Sequence, residues 1–320
     1  PSSGTKRNRG KRLKFMAELR SIVRGTLLEN EPMTRHTTYG IGGPAAAFVT
    51  PRDRKDLSKI LKFASQHSIQ TFFIGSGSNL LVADQGIDGI VITPAKALTN
   101  LEFDGGRVTV ESGVMLGRLV KECIKRNLTG MESLIGVPGT LGGALVMNAG
   151  AFGGEISNNL VNVDVMKMSG QIETLNHGDV DFAYRFSTFS KDEFILLARF
   201  DLEQEDPRQI QERSHKASKG RKSSQPLRFR SAGSVFKNPK EQAAGYLLDQ
   251  AGMKGTKVGG AEISTHHANF FVNHGDAKSA DIAELIRIAR KRVYEKFKIK
   301  LDLEVKTIGF NQKDLDPHAS

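Results

Sequence analysis

The sequence predicts an α+β fold. Strand-like and helix-like segments mix irregularly along its 320 residues, without the strict βαβ rhythm of a doubly wound sheet. Three glycine-rich loops interrupt the pattern before residue 155. A hydrophobic content of 38% with 25% charged residues suits a folded chain with a sizeable core, and the length allows two or three domains.

The elements follow from periodicity. Leu57, Ile60, Leu61 and Ala64 define one helical face. The apolar run Thr71–Ile74 predicts a strand, followed by the turn Gly75–Ser78 and strands at Leu80–Val82 and Ile90–Ile92. Val108 and Val110 begin another strand. Leu116, Leu119, Val120, Cys123 and Ile124 mark a second helix, which makes Cys123 a core residue. Leu160–Met168, Gln171–Leu175 and Phe194–Phe200 read as strands of one sheet, and Asp201–Asp206 with Pro207 as a break between domains. Beyond it, Ala243–Ala251 is a short helix stopped by Gly252, and Asn269–Asn273 a strand. Ile282, Leu285, Ile286, Ala289, Val293 and Phe297 form a long helical stripe with Ser279 as the expected N-cap. Leu301, Leu303 and Val305 alternate with Asp302, Glu304 and Lys306, the pattern of a half-buried strand.

The formal net charge is +11, and it is concentrated. Residues 1–15 carry +6 and residues 208–230 carry +7, which leaves the rest at −2. The first run has no apolar period and reads as a disordered tail, with Met16 the expected start. The second lies inside the folded chain and calls for an anionic partner. Nucleic acid is a poor candidate: there are four tyrosines and no tryptophan, and the phenylalanines sit in apolar periodic positions rather than among Lys and Arg. A single cysteine excludes an internal disulfide and a Cys-based zinc finger, and fits a reducing cytoplasm. No secretory signal is visible. Ser133–Gly154 has no charged residue, but its seven glycines and Pro138 suit a loop approaching a ligand better than a membrane helix.

Three segments bring backbone N–H groups together as an anion requires: Tyr39–Gly43, Gly75–Val82, and Gly136–Gly143 continuing to Met147–Ala151. Ser76, Ser78, Thr140 and Asn148 add neutral donors. None matches a P-loop or a dinucleotide fingerprint. A fourth segment, Gly233-Ser234-Val235-Phe236-Lys237-Asn238, holds a serine without an evident triad, which could instead deliver a proton to a carbanion or enol. His266 and His267 diverge on an extended chain, so no metal is expected. Read alone, Glu304 is a solvent-face charge, and Arg185 in Tyr184-Arg185-Phe186-Ser187 is a surface residue.

Taken in order, these motifs, with Met147–Glu155, Ala251–Gly255, His267–Phe270 and Leu301–Val305, resemble the UDP-N-acetylenolpyruvoylglucosamine reductase family of bacterial cell-wall synthesis, from about Leu28 to Phe310. The resemblance implies a vanillyl-alcohol-oxidase-like FAD fold. Two α+β subdomains (20–100 and 101–206) would hold non-covalent FAD, and a smaller α+β domain (207–310) would close over a UDP-sugar. Residues 1–19 and 311–320 would be tails. The implied reaction reduces UDP-N-acetylenolpyruvoylglucosamine to UDP-N-acetylmuramate. NADPH reduces the flavin, flavin N5 passes hydride to C3, and a serine protonates C2.

By position in the motifs, the resemblance makes Ser234 the general acid, with Arg185 and Glu304 stabilising the enolate. Asn238 would contact substrate. Tyr39, Gly42, Gly75, Ser76, Gly77, Ser78, Asn79, Leu80, Pro138, Gly139, Thr140, Gly142, Gly143, Asn148, Ala149 and Gly150 would line the FAD site. Only 49 positions separate Arg185 from Ser234, with no tyrosine between them, which resembles the family's shorter subclass without a tyrosine lid. A cytoplasmic, bacterial monomer without membrane insertion is expected. The rival within the fold is a flavin oxidase acting on an alcohol or amine, and outside it a basic nucleic-acid-binding protein.

Overall fold

The structure is a computed structural model that describes residues 15–317. Its first unit is a four-stranded sheet in the order Thr26–Pro32, Pro44–Thr50, Ile87–Ile92, Thr71–Phe73. The first pair is antiparallel and the others are parallel. Ala47, Val49, Ile90 and Ile92 face one side of the sheet, while Phe48 and Val91 face the other, as a period of two demands. The helix Arg54–Gln66 covers the first face with Leu57, Ile60, Leu61 and Ala64, all fully buried. Asp53 caps that helix by accepting from Asp56 N at 2.8 Å.

The expected N-terminal tail is shorter than residues 1–19. Residues 15–22 are helical, and Met16 and Leu19 are buried in the same core as that helix. The rest of the tail, with its basic run, lies outside the described residues. At the other end, Gln312–Leu315 forms a short helix with Leu315 buried, so 311–320 is likewise not all tail.

The second unit is a five-stranded antiparallel sheet in the order Ile172–Asn176, Leu160–Lys167, Glu193–Asp201, Arg107–Glu111, Leu101–Asp104. The helix Leu116–Lys125 packs Leu116, Leu119, Val120 and Cys123 against it. The glycine-rich segment is not wholly loop, since Leu141–Val146 is helical and buries Leu141, Ala144 and Leu145 in this core.

The basic run forms the helix Pro207–Ser224, capped by Asp206. It packs on the turn Glu132–Leu134 and the helix Leu116–Lys125 of the second unit, so it does not open the third domain as expected. Arg213 anchors it, with Nε donating to Glu132 Oε1 at 2.6 Å and Nη2 pairing with Glu205.

The third unit pairs Lys257–Val258, Ala261–Ile263 and Phe271–Asn273 with the helices Ala244–Gln250 and Ser279–Phe297. Its core takes in Tyr39, Ile41 and Leu81 of the first unit. The long helix is not capped by Ser279, its first residue. Asp84 reaches across from the first unit, accepting from Ser279 N at 3.0 Å, while Ser279 Oγ accepts from Asp84 N at 2.8 Å. Residues 301–305 do not form the expected alternating strand. They run irregularly to Lys306–Ile308, which pairs in parallel with Leu80–Val82.

Candidate active site

Arg185, Ser234 and Glu304 come from separate stretches of chain, and hydrogen bonds bring those stretches together. Arg185 occupies the second turn position of the hairpin Phe182–Ala183/Phe186–Ser187 at φ +54°. A non-glycine residue is strained there, and its side chain is held at both ends. Nε donates to Glu304 Oε1 at 2.9 Å, and Nη2 donates to Gly150 O at 2.8 Å. The guanidinium also lies over the Tyr184 ring, 4.9 Å from its centre.

Glu304 is 16% exposed at the side chain. Its backbone is fixed from two sides: Glu304 N donates to Val235 O at 2.8 Å, and Asn79 Nδ2 donates to Glu304 O at 3.0 Å. Burial pushes its carboxyl above the usual range, against the opposing pull of Arg185 and Lys237. Glu304 is therefore not the solvent-face charge that alternation suggested.

Ser234 follows Gly233, whose φ of +74° turns the chain, and bridges to Phe270. Buried Asn269 holds the next residues, accepting from Phe236 N at 2.9 Å and donating to Phe236 O at 2.8 Å. The stretch 234–236 thus lies between Phe270 on one side and Leu303–Glu304 on the other. Asn238 is exposed. Its Oδ1 accepts from Ala244 N at 3.0 Å at the start of a helix, and its backbone N donates to Tyr184 Oη at 3.4 Å.

The glycine-rich loops meet one another. Ser78 Oγ donates to Pro138 O at 3.3 Å, and a Cβ on Gly139 would stand 3.3 Å from Ser78 Oγ. A Cβ at Gly75 would stand 2.2 Å from Thr140 Oγ1, and one at Gly77 (φ +65°) would run into His36 O. Glycine is required at both positions. Four buried polar atoms in these segments have no partner among the described residues: Tyr39 Oη, Ser76 Oγ, Thr140 Oγ1 and Asn148 Oδ1. Orphans of that kind are rare in a finished interior. Burial pushes the Tyr39 phenol up, which keeps it a donor. Two close-set loops, neutral donors and unmet hydrogen bonds fit a large polar cofactor such as FAD.

The remaining expected positions are held by contacts within the protein. Asn148, at φ +42°, uses Nδ2 to reach Glu155 Oε2 and Ala183 O. Gly150 supplies the carbonyl that holds Arg185, and Ala149 pairs with Ile156 N. Gly42 leaves room for Met33 and Val82, and Gly142 for Ser112. Leu80 is buried in its strand, and Gly143 lies in the short helix near Thr140. Sequence reasoning missed Asn269 and Thr38. Thr38 donates from its backbone N to Gly77 O and from Oγ1 to Ser231 O, joining a cofactor loop to the Ser234 segment. Asn269 lies in the His267–Phe270 motif, which gave it no role of its own, and nothing in the local pattern marks Thr38. Among the described residues no group of three His, Cys, Asp or Glu could hold a metal, and no helix is long and apolar enough to cross a membrane.

A family model described as an FAD binding domain matches residues 45–176. With the unmet polar atoms and the meeting loops, it defines an FAD-dependent oxidoreductase. A second model, the C-terminal domain of UDP-N-acetylenolpyruvoylglucosamine reductase, matches residues 225–308, beginning just after the basic helix. The chain is 41% identical over 298 residues to UDP-N-acetylenolpyruvoylglucosamine reductase of Bacillus licheniformis, covering 92% of this chain and 98% of the relative. It is 40% identical over 301 residues to that of Bacillus subtilis, covering 93% and 99%. The crystal structure of the Thermus caldophilus reductase aligns with a TM-score of 0.77 at 35% identity, covering 89% of this chain and 98% of that one. The chain belongs to the UDP-N-acetylenolpyruvoylglucosamine reductase family.

Proposed function

We propose that this enzyme reduces UDP-N-acetylenolpyruvoylglucosamine to UDP-N-acetylmuramate with NADPH, as a cytoplasmic monomer in bacterial peptidoglycan synthesis. The observation that carries the reading is the enclosed Arg185–Glu304 pair beside the Ser234 stretch. FAD, when bound, supplies the two-electron transfer from NADPH to C3 of the enolpyruvyl ether. Gly75–Ser78, Gly139–Thr140, Tyr39 and Asn148 would hold it through backbone N–H groups, the unmet hydroxyls and the Asn148 amide, with Pro138 shaping the loop.

Negative charge develops at C2 and the adjoining carboxylate as C3 is reduced. Arg185 receives that charge as a planar cation. Glu304 orients the guanidinium, and its raised carboxyl can hold a proton where the enolate forms. Ser234 delivers the proton to C2. Asn238, between the Ser234 stretch and a helix start, contacts the sugar nucleotide. The short span of the 185–234 interval, with no tyrosine in it, supports the shorter subclass, without a tyrosine lid.

The purified holoenzyme is expected to be yellow, to bleach with NADPH under anaerobic conditions, and to be reoxidised by the enolpyruvyl sugar. Ser234→Ala should keep reduction by NADPH and lose turnover of the sugar by roughly 10²–10⁴-fold. Loss of both half-reactions in that variant contradicts the proton-donor role. Rapid reoxidation by oxygen without response to the sugar favours an oxidase of the same fold.

A further inference from the structure

Arg221 has no counter-charge. It sits in the last turn of the basic helix, with Nε fully enclosed and without a partner. Nη1 donates only to Gln225 Oε1, a neutral acceptor, at 3.2 Å. No carboxylate lies within ion-pair distance among the described residues. Other arginines here are provided for: Arg213 has Glu132 and Glu205, and Arg290 donates to the carbonyls of Leu301 and Leu315.

The neighbourhood makes the charge harder to keep. Burial and the like charge of Arg185 both push Arg221 down. A cation enclosed beside another cation is unfavourable unless an anion joins them. The side chain is also held in place. A Cβ on Gly136 would stand 3.1 Å from Arg221 Cδ. The preceding residue, Gly220, lies against the Phe152 ring, two positions after the Gly150 that holds Arg185. Arg221 is thus fixed on the wall that carries Arg185, with an unused donor and an unmet positive charge.

We propose that Arg221 is a diphosphate-binding residue of the catalytic cleft. This rests on the UDP-sugar reading above. Arg185 and Glu304 engage the enolpyruvyl group, so the remaining strong anion of the substrate is its diphosphate, and a guanidinium fork matches phosphate oxygens. NADPH and the FAD beside these loops carry the same group, and the sources separate by experiment: weaker FAD binding with UDP and pyrophosphate unchanged assigns the cofactor and overturns the proposal.

The test uses FAD-loaded enzyme and the variants Arg221→Met and Arg221→Lys. Binding of UDP, uridine and inorganic pyrophosphate is read from changes in flavin absorbance and from shifts in Tm. In Arg221→Met, UDP and pyrophosphate should bind roughly 10- to 100-fold more weakly, with uridine within about twofold. Arg221→Lys should recover part of the loss. The ligand-free Tm of Arg221→Met should hold or rise, because an uncompensated charge is removed. A KM raised for the UDP-sugar alone assigns the sugar nucleotide, and one raised for NADPH alone assigns the reductant; either supports the site. Equal weakening of UDP and uridine, unchanged binding of both UDP and pyrophosphate, or a fall of several degrees in ligand-free Tm overturns it. If wild type takes pyrophosphate through Arg221 but no uridine compound, the diphosphate site stands and the uridine reading fails.

Discussion

Arg185→Gln is the perturbation whose size follows most directly from the geometry. Glutamine keeps the backbone type at φ +54° and can still reach a nearby acceptor, but it removes the cation beside Glu304. The carboxylate is then enclosed without its partner, and it escapes by taking up a proton. That sets a ceiling. Protonating a carboxyl with an ordinary pKa of 4.5 at pH 7 costs about 3.4 kcal/mol, at about 1.36 kcal/mol per unit. The charge-dependent loss of stability cannot exceed it, and the lost hydrogen bond to Gly150 O adds about 1 kcal/mol.

The sign of the pH dependence follows. Above pH 4.5 the folded variant keeps a proton that the unfolded chain releases, so its stability falls as pH rises. Wild-type Glu304 is also raised by burial, but Arg185 opposes the shift, so its fall covers a narrower window. The deficit of the variant is therefore smallest near pH 4.5 and opens toward pH 7, by at most about 1.4 kcal/mol per unit. Urea unfolding of FAD-saturated protein at pH 5, 6 and 7, with unchanged m, measures it. A deficit that stays constant across that range would refute the claim that Arg185 neutralises Glu304.

Two further outcomes follow from packing. Gly75→Ala places a Cβ 2.2 Å from Thr140 Oγ1, an overlap of the size that costs about 1–3 kcal/mol in a packed site. FAD affinity should fall by roughly 5- to 150-fold; fluorescence titration with free FAD reads it, and undiminished affinity removes these loops from the cofactor seat. Cys123 is fully buried, and burial pushes its thiol up to about 12. A disulfide reagent at pH 8 should leave native protein unmodified and titrate one thiol after unfolding, so fast native labelling would contradict the packing of the helix Leu116–Lys125.

Periodic elements were legible in the sequence because local spacing encodes a face. The stripes at 57–64, 116–124 and 282–297 all became buried helix faces. The basic helix Pro207–Ser224 has no such stripe, burying only Ile210 and Ala217, and so it read as a charge run. Leu141–Val146 was hidden among glycines. Glu304 shows the deeper limit. Alternation with Asp302 and Lys306 suggested solvent, but the chain leaves strand geometry there. Partners at positions 79, 185 and 235 enclose it, and no local pattern contains them. The Asp84 cap on Ser279 spans 195 positions and escaped notice for the same reason. The resemblance to a family nominated the site residues; only the fold supplied what holds them.

The ties of the third unit are unevenly distributed, and this bears on how the cleft works. To the first unit it is joined by a parallel strand pair, the Asp84 cap, the Asn79–Glu304 and Thr38–Ser231 bonds, and a core that includes Tyr39 and Leu81. Toward the hairpin of the second unit it offers the Arg185–Glu304 pair and the weaker Asn238–Tyr184 bond. Apolar packing shared by two units resists separation, and the enclosed Arg185–Glu304 pair, costly to break, adds a polar tie across to the hairpin. Ser234 and Glu304 are therefore built as one body with the Gly75–Asn79 loop. Arg185, on the opposite wall, is tied to them through Glu304 Oε1 at 2.9 Å. The residue strained in its backbone is thus the one that joins the two walls.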